Sequence, residues 1–344
     1  MMKKLLLGTT ALATAALLSA GTANADGLTM KVEGYFQGAM IFGDNGLPNS
    51  RGVSFRDWNN EIHFKAEGTA DNGLTYGFRI ELEGNTTGDQ IDEQYLYLKG
   101  AFGQIIFGED DGASEKMGYI SPAPDNNGIL SVNTGNFVFG STPTTVNNTG
   151  DGVKLTYITP RIAGFQLGLS YAPEACEERQ GCLVNEFGLD NDGLGGQQFS
   201  AGLNFSKEFS GVSLGVSGTY AWTENELGGS DLDSYGFGLN LGFAAGAGEI
   251  TAGGSYLMMD FGAIEIESYD AGIQYAQGPF TVGVQSIWQD YDFPNTEVWA
   301  VSVGGGYEVA TGLGVSAGYI HYDRDSGLAA QDSDAFLIGT MLSF

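Results

Sequence analysis

The chain has 344 residues and a formal net charge of −28, with 42 acidic residues against 14 basic ones. That deficit excludes a general attraction to phosphate backbones, and with it a nucleic-acid partner. Glycine reaches 55 residues and proline only 8, yet aromatics make up 12%, too many for a disordered chain.

The first segment, "MMKKLLLGTTALATAALLSAGTANADG", opens on Lys3 and Lys4, runs through apolar residues to about Leu18 and reaches Ala23-Asn24-Ala25. A basic start, a short apolar stretch and an A-x-A site read as a secretory signal peptide over 1–25, cut after Ala25. The apolar run is short of the roughly 20 residues that a spanning helix needs. Beyond it no comparable run appears, so helical membrane spans are not expected. An exported chain of this composition is then a soluble β-protein or a transmembrane barrel, whose mark is weak alternation over many short segments.

That alternation recurs. "MKVEGYFQGAMIF" sets Val32, Phe36, Met40 and Phe42 against Lys31, Glu33 and Gln37. "NEIHFKAEG" sets Ile62, Phe64 and Ala66 against Glu61, His63, Lys65 and Glu67, and "LTYGFRIELEG" sets Leu74, Tyr76, Phe78, Ile80 and Leu82 against Thr75, Gly77, Arg79, Glu81 and Glu83. Period two places one row on an apolar face and the other in water. Sixteen such strands are expected, at about 30–43, 59–69, 74–84, 92–100, 103–109, 151–160, 165–172, 197–207, 212–222, 232–245, 248–259, 265–276, 280–291, 295–309, 314–323 and 333–344. Short glycine-bearing turns alternate with longer acidic connections, the layout of a barrel with one plain rim and one elaborated rim. An even count closes the sheet antiparallel, and sixteen strands leave an aqueous lumen. Trp58, Tyr171, Trp222, Trp288, Tyr291 and Tyr322, at strand ends, are expected in interfacial aromatic girdles. The final segment, "SDAFLIGTMLSF", has Phe336, Ile338, Thr340, Leu342 and Phe344 in one row. In a closed barrel that row faces lipid, and the last strand has the first as its partner.

In strand order, loop alternation and length the chain resembles the general porins of Gram-negative bacteria, nearest to the alphaproteobacterial type. The terminal phenylalanine behind alternating apolar residues is similar to the signal read by the outer-membrane assembly machinery. "EQYLYLKGAFGQIIFGEDDG" at 93–112 resembles the family's fourth strand, tight Phe-Gly turn and fifth strand. The arginine that often follows the closing glycine is replaced by Glu109, and the Pro-Glu-Phe-Gly signature of enterobacterial third loops is missing. The resemblance implies a 16-stranded antiparallel transmembrane β-barrel over 26–344, a homotrimer in the outer membrane, and a third loop folded into the pore. The residues agree on the loop: 110–150 is long, has no strand of its own, and carries Met117, Tyr119, Ile120, Ile129, Leu130, Phe137, Val138 and Phe139. Segments of that kind are functional more often than idle, and the barrel wall is the surface available to cover it.

Charge supports a constriction there. Most of the basic residues past the signal lie in the first six strands and their connections, and by alternation Lys65, Arg79, Lys99 and Lys154 point to the lumen. The inturned loop offers Glu109, Asp110, Asp111, Glu115 and Asp125. Opposed groups across a narrow pore would set up a transverse field that favours polar solutes. The acidity predicts a mild preference for cations, tempered by the basic wall.

Cys176 and Cys182, six residues apart in an expected loop, are read as a small disulfide ring. His63 and His321 are too far apart in sequence to make a zinc cluster alone. No cofactor is required; dense loop carboxylates could bind calcium or magnesium weakly and bridge to lipopolysaccharide, with no unique metal residues. Three rivals to a general diffusion channel are a solute-specific channel with a saturable track, hinted at by Tyr95 and Tyr97, an outer-membrane enzyme built on a barrel, and an adhesion barrel. A barrel enzyme is not expected, since no Ser-His-acid set is brought together by the strands.

Overall fold

The structure is a computed structural model that describes residues 27–46, 48–84, 90–133, 144–146, 150–174, 196–292, 295–326 and 330–344. The signal-peptide segment 1–25 and the Cys176–Cys182 pair lie outside the described residues, as do Phe137, Val138 and Phe139.

Sixteen strands follow one another around a closed antiparallel barrel. They are β1 (Thr29–Asp44), β2 (Val53–Thr69), β3 (Thr75–Glu83), β4 (Ile91–Gly100), β5 (Gly103–Glu109), β6 (Val153–Ile158), β7 (Phe165–Ala172) and β8 (Gln198–Phe209), then β9 (Val212–Thr223), β10 (Leu232–Ala245), β11 (Gly248–Asp260), β12 (Glu265–Gln277), β13 (Phe280–Tyr291), β14 (Thr296–Ala310), β15 (Leu313–Ser326) and β16 (Gln331–Ser343). One five-residue helix, α1 (Ala113–Met117), interrupts the connection from β5 to β6 and was not expected from the sequence. β16 closes on β1, with Phe42 opposite Phe336 and Met40 opposite Ile338. Phe344 and Gly34 exchange both backbone hydrogen bonds at 3.0 and 3.1 Å, so no strand edge is left open there.

Period two sorts the side chains as expected. Phe36, Ile62, Leu96, Phe107, Leu155, Phe237, Val303 and Phe336 are exposed on the outer face, where a bilayer would cover them. The inner rows are small or polar: Thr156, Ser170, Ser200, Ser217, Ser234, Ser268, Gln285 and Ser302 are all buried. Tight turns fit between strands where glycine takes a positive φ, as Gly211 does at 84° and Gly278 at 56°.

Two corrections concern strand details. β2 begins well before the expected residue 59, because Asn59 adopts φ 56° and a register shift opposite Tyr35–Gln37 carries pairing through to Val53. That bulge uses Asn60, whose Oδ1 accepts the Gln37 backbone N–H at 2.7 Å. Of the expected girdle aromatics, Trp58 and Tyr322 are each 5% exposed and join an inner apolar cluster, with Tyr291 packed beside them. Trp288 does stand exposed on the outer face, stacked on Tyr269 at 5.5 Å, and cross-strand ring pairs such as Tyr220–Tyr235 and Tyr256–Tyr269 join it there.

The wall is uneven. β5, β6 and β7 have 7, 6 and 8 residues, whereas β8 has 12 and β14 has 15. The core lies inside the barrel, where Ile129, Leu130 and Val132 of the β5–β6 connection meet Ile287, Val298, Ala300, Ile320, Ala335 and Leu337 of the wall.

Candidate functional site

The β5–β6 connection enters the lumen and stays there because its backbone finds partners on the wall. A loop in such a place must satisfy its N–H groups, and the polar inner rows do so in sequence. Ala113 N–H donates to Ser170 Oγ on β7 at 2.8 Å, Tyr119 to Ser217 Oγ on β9 at 2.9 Å, Ser121 to Asp270 Oδ1 on β12 at 3.0 Å and Val132 to Gln285 Oε1 on β13 at 2.9 Å. Ser316 on β15 donates to Asp125 at 2.6 Å, and Gln37 on β1 donates to the Asn127 carbonyl at 2.6 Å. Missing side chains make the room: a Cβ at Gly318 would come within 2.6 Å of Leu130, and one at Gly339 within 2.8 Å of Ile129. From β7 round to β1 the wall is therefore lined by the loop.

The arc on β1 to β4 that the described residues of the loop do not line carries charge in registered rows. Lys31, Lys65 and Arg79 stand side by side on β1, β2 and β3. Two residues nearer the long-loop rim, about 7 Å along the strand, come Glu33, His63 and Glu81, and then Tyr35, Glu61 and Glu83. A register shift between Ile80 and Leu82 sets two carboxylates of β4, Asp92 and Glu93, opposite Glu81. His63 is at the centre: its Nε2 lies 2.7 Å from Glu61 and 3.1 Å from Glu81, while Arg79 Nη2 reaches its Nδ1 at 2.7 Å. Arg79 Nε also contacts Glu81.

The expected acidic residues separate. Glu109 pairs across the sheet with Gln94 and Val153 on the outward row and accepts from Gln94 at 2.5 Å, so it belongs to the outer face and not the lumen. Asp125 is 2% exposed and caps the loop's own turn, accepting from Ile129 and Leu130 N–H at 3.3 and 3.1 Å; it anchors the loop and offers no open charge. Asp110 is buried against Lys116 at 2.7 Å. Burial pushes the Asp110 carboxyl up while Lys116 pulls against it; burial likewise works against the Lys116 ammonium, but Asp110 outweighs it and raises Lys116. Asp111 and Glu115 stay together at the loop root. Burial, helped by Asp111, pushes Glu115 up to about 8 and Asp151 beside them up to about 6.

Of the expected basic wall, Lys65, Arg79 and Lys99 lie on the bare arc. Lys65 contacts Glu67 at 3.7 Å and Lys99 sits over the Tyr97 ring at 4.6 Å. Lys154 has the expected inward direction but is 2% exposed, its ammonium donating to the Asp110 carbonyl and, at 2.7 Å, to the Gly150 carbonyl. It pins the loop root from below. The surviving acidic groups thus adjoin the basic wall, on the same side of the barrel, in place of the opposition across the lumen that the sequence suggested. Glu61, His63, Glu81, Asp92 and Glu93 were missed as a set. Their alternation was legible, but their meeting depends on the cross-strand register. Glu93, Asp111 and Asp151 offer oxygens all within 4.8 Å of one another, a donor set suited to a hard divalent cation.

Comparison with known proteins follows this geometry. The profile of the family described as Gram-negative porin matches residues 8–336. No curated protein sequence matches the chain. Among solved structures, the anion-selective porin from Comamonas acidovorans is similar at 15% identity and TM-score 0.64, covering 92% of this chain and 100% of its own. OmpT of Vibrio cholerae in its trimer form has 15% identity and TM-score 0.63, over 93% of this chain and 100% of its own. The outer membrane channel DcaP of Acinetobacter baumannii has 14% identity and TM-score 0.61, over 94% and 100%. At such identities the likeness speaks to the fold.

Proposed function

Because the chain belongs to the Gram-negative porin family, we propose that its lumen is a water-filled outer-membrane channel through which small hydrophilic solutes and ions diffuse passively, with a mild preference for cations. Family and fold together favour a channel over an enzyme. The observation that carries the reading is the division of the inner wall: among the described residues, a docked loop lines one side and a charged arc stands on the other. Along that arc Glu33, Glu61, Glu67, Glu81, Glu83, Asp92 and Glu93 outnumber Lys31, Lys65, Arg79 and Lys99. Lys65, Arg79 and Lys99 from the wall, with Asp111 and Glu115 from the loop root, are the proposed charge set of the constriction. A saturable track is less well supported, since Tyr97 is 3% exposed and its hydroxyl donates to Glu67 at 2.7 Å.

A homotrimer is part of the proposal. The strands β5 to β7 fall short of the roughly 9–11 residues that a tilted transmembrane strand needs, and a neighbouring copy would cover that low stretch of wall. Residues 1–25 would direct export. Weak calcium or magnesium binding would fall at the Glu93, Asp111 and Asp151 carboxylates, with bridging to lipopolysaccharide by carboxylates of the long-loop rim.

The test is conductance in a planar bilayer under a salt gradient. Current steps arriving in threes with a cation-side reversal potential are expected. An anion-side potential would refute the selectivity, and folded protein that passes no current would refute the channel.

A further inference from the structure

His63 is a buried imidazole on the bare arc, enclosed by charge from every strand around it. β1 contributes Glu33, its register partner, and the Tyr35 ring, edge-on at 5.5 Å. β2 contributes Glu61, with Lys65 next along the inner row. β3 contributes Glu81 and Arg79. From β4, Glu93 is hydrogen-bonded to Glu81 and Tyr95 to Arg79, while Asp110 of the loop root acts through space on Glu93.

One contact in this shell is informative about protons. A guanidinium can only donate, so Arg79 Nη2 at 2.7 Å from Nδ1 requires a lone pair on that nitrogen. The single imidazole proton is then on Nε2, where it points at Glu61 and Glu81. In this arrangement the ring accepts from Arg79 and is one of three groups that hold it flat against the wall, beside Glu81 and Tyr95.

We propose that His63 is the positioning residue that sets how far the Arg79 charge reaches into the lumen, so that protons adjust the ion selectivity of the channel. The inference rests on the channel function proposed above. A second proton can enter only at Nδ1. It sets donor against donor, ends the Arg79 contact, and gives the imidazolium a larger share of the Glu61 and Glu81 charge. Arg79 then keeps its Glu81 and Tyr95 contacts but loses the one that ties it to β2, and its charge turns toward open water. The arc gains one positive charge and exposes another. An unperturbed imidazole titrates between about pH 5 and 8, which sets the two pH values of the test. A unit charge brought within about 8 Å of the ion path alters the cation-to-anion permeability ratio by about twofold at low salt. In 1 M salt, where screening acts over roughly 3 Å, the effect fades.

The experiment measures reversal potential for the full channel under a KCl gradient at about pH 8 and about pH 5, in wild type, His63→Gln, Arg79→Gln and the double variant. Carboxylates elsewhere titrate in all four proteins and cancel in the comparison. The wild type should move toward anions on acidification by about twofold more than His63→Gln. Arg79→Gln should lose the part of that increment which Arg79 supplies, and the double variant should lose no more than His63→Gln alone. An acid shift in His63→Gln equal to that of wild type would overturn the proposal, as would losses that simply add. If His63→Gln does not fold, Arg79→Gln decides alone: retention of the full wild-type shift overturns the proposal. Folded wild type with no current would instead overturn the channel on which the inference rests, a result recognisably different from a channel with an unaltered pH response.

Discussion

Leu130 offers the sharpest check on how the loop is held. Its side chain is fully buried, inserted where Gly304 and Gly318 leave the wall without a Cβ and surrounded by Ile320, Ala300 and Leu337. Shortening it to alanine removes three carbons from a site whose walls are strands of a closed sheet and cannot collapse inward. The expected cost is therefore near the middle of the range for such substitutions, about 3 kcal/mol. The lost contacts join the loop to the wall and none of them joins one strand to another. The cost should appear in loop docking, lowering the docked-to-undocked ratio by about a hundredfold, while the barrel's own thermal unfolding barely moves. Single-channel recording of Leu130→Ala should show added low-frequency noise and excursions to higher conductance, and limited proteolysis should cut within 110–133 more readily. A quiet channel of unchanged conductance, with the loop still protected, would refute the claim that this side chain fastens the loop.

Three further outcomes are expected. Lys65→Glu reverses a charge on the bare arc and should raise the cation-to-anion permeability ratio about two- to fourfold at low salt; a ratio unchanged in 0.1 M KCl would place the ion path elsewhere. Glu115 is held at about 8, above the 4.5 of the unstructured side chain. The folded state therefore binds more protons than the unfolded one between those limits, and stability falls as pH rises through them. Glu115→Gln should accordingly raise the melting temperature at pH 8.5 and leave it unchanged at pH 4; calorimetry at both values decides, and an equal effect at the two would contradict the sign. Asp111→Asn combined with Asp151→Asn should weaken any reduction of potassium current by millimolar calcium, and an unaltered calcium response would remove the carboxylate trio as its source.

Much of the barrel could be read from single residues because membrane and lumen alternate with the pleat. Phe78, Ile80 and Leu82 against Arg79 and Glu81 needed no knowledge of neighbouring strands. The same alternation puts Lys65, Arg79, Lys99 and Lys154 on one row by register. Parity says nothing about what lies above a residue, however, and Lys154 proved to be covered by the loop root. Parity also fails where a bulge adds a residue, as at Asn59 and Asn60, or at a strand end, where Glu109 was assigned to the loop and the outer row has it. Trp58 and Tyr322 resemble girdle aromatics by position and face inward because the loop supplies an apolar surface for them there. The meeting of Glu61, His63, Glu81 and Arg79 depends on a pairing offset between two strands, which a one-dimensional pattern does not encode.

The division of the inner wall has a consequence for how such a protein can change. Beneath the loop, Gly202, Gly238, Gly318 and Gly339 leave room for particular loop atoms, and Ser170 and Ser217 accept from particular loop N–H groups, so wall and loop there can vary only together. Among the described residues, the Lys65, Arg79 and Lys99 positions on β2 to β4 bear no such imprint. Charges there can be exchanged, added or reversed while the fastening of the loop stays as it is. A lineage, or an engineer, could therefore retune what the channel admits by repainting that one strip.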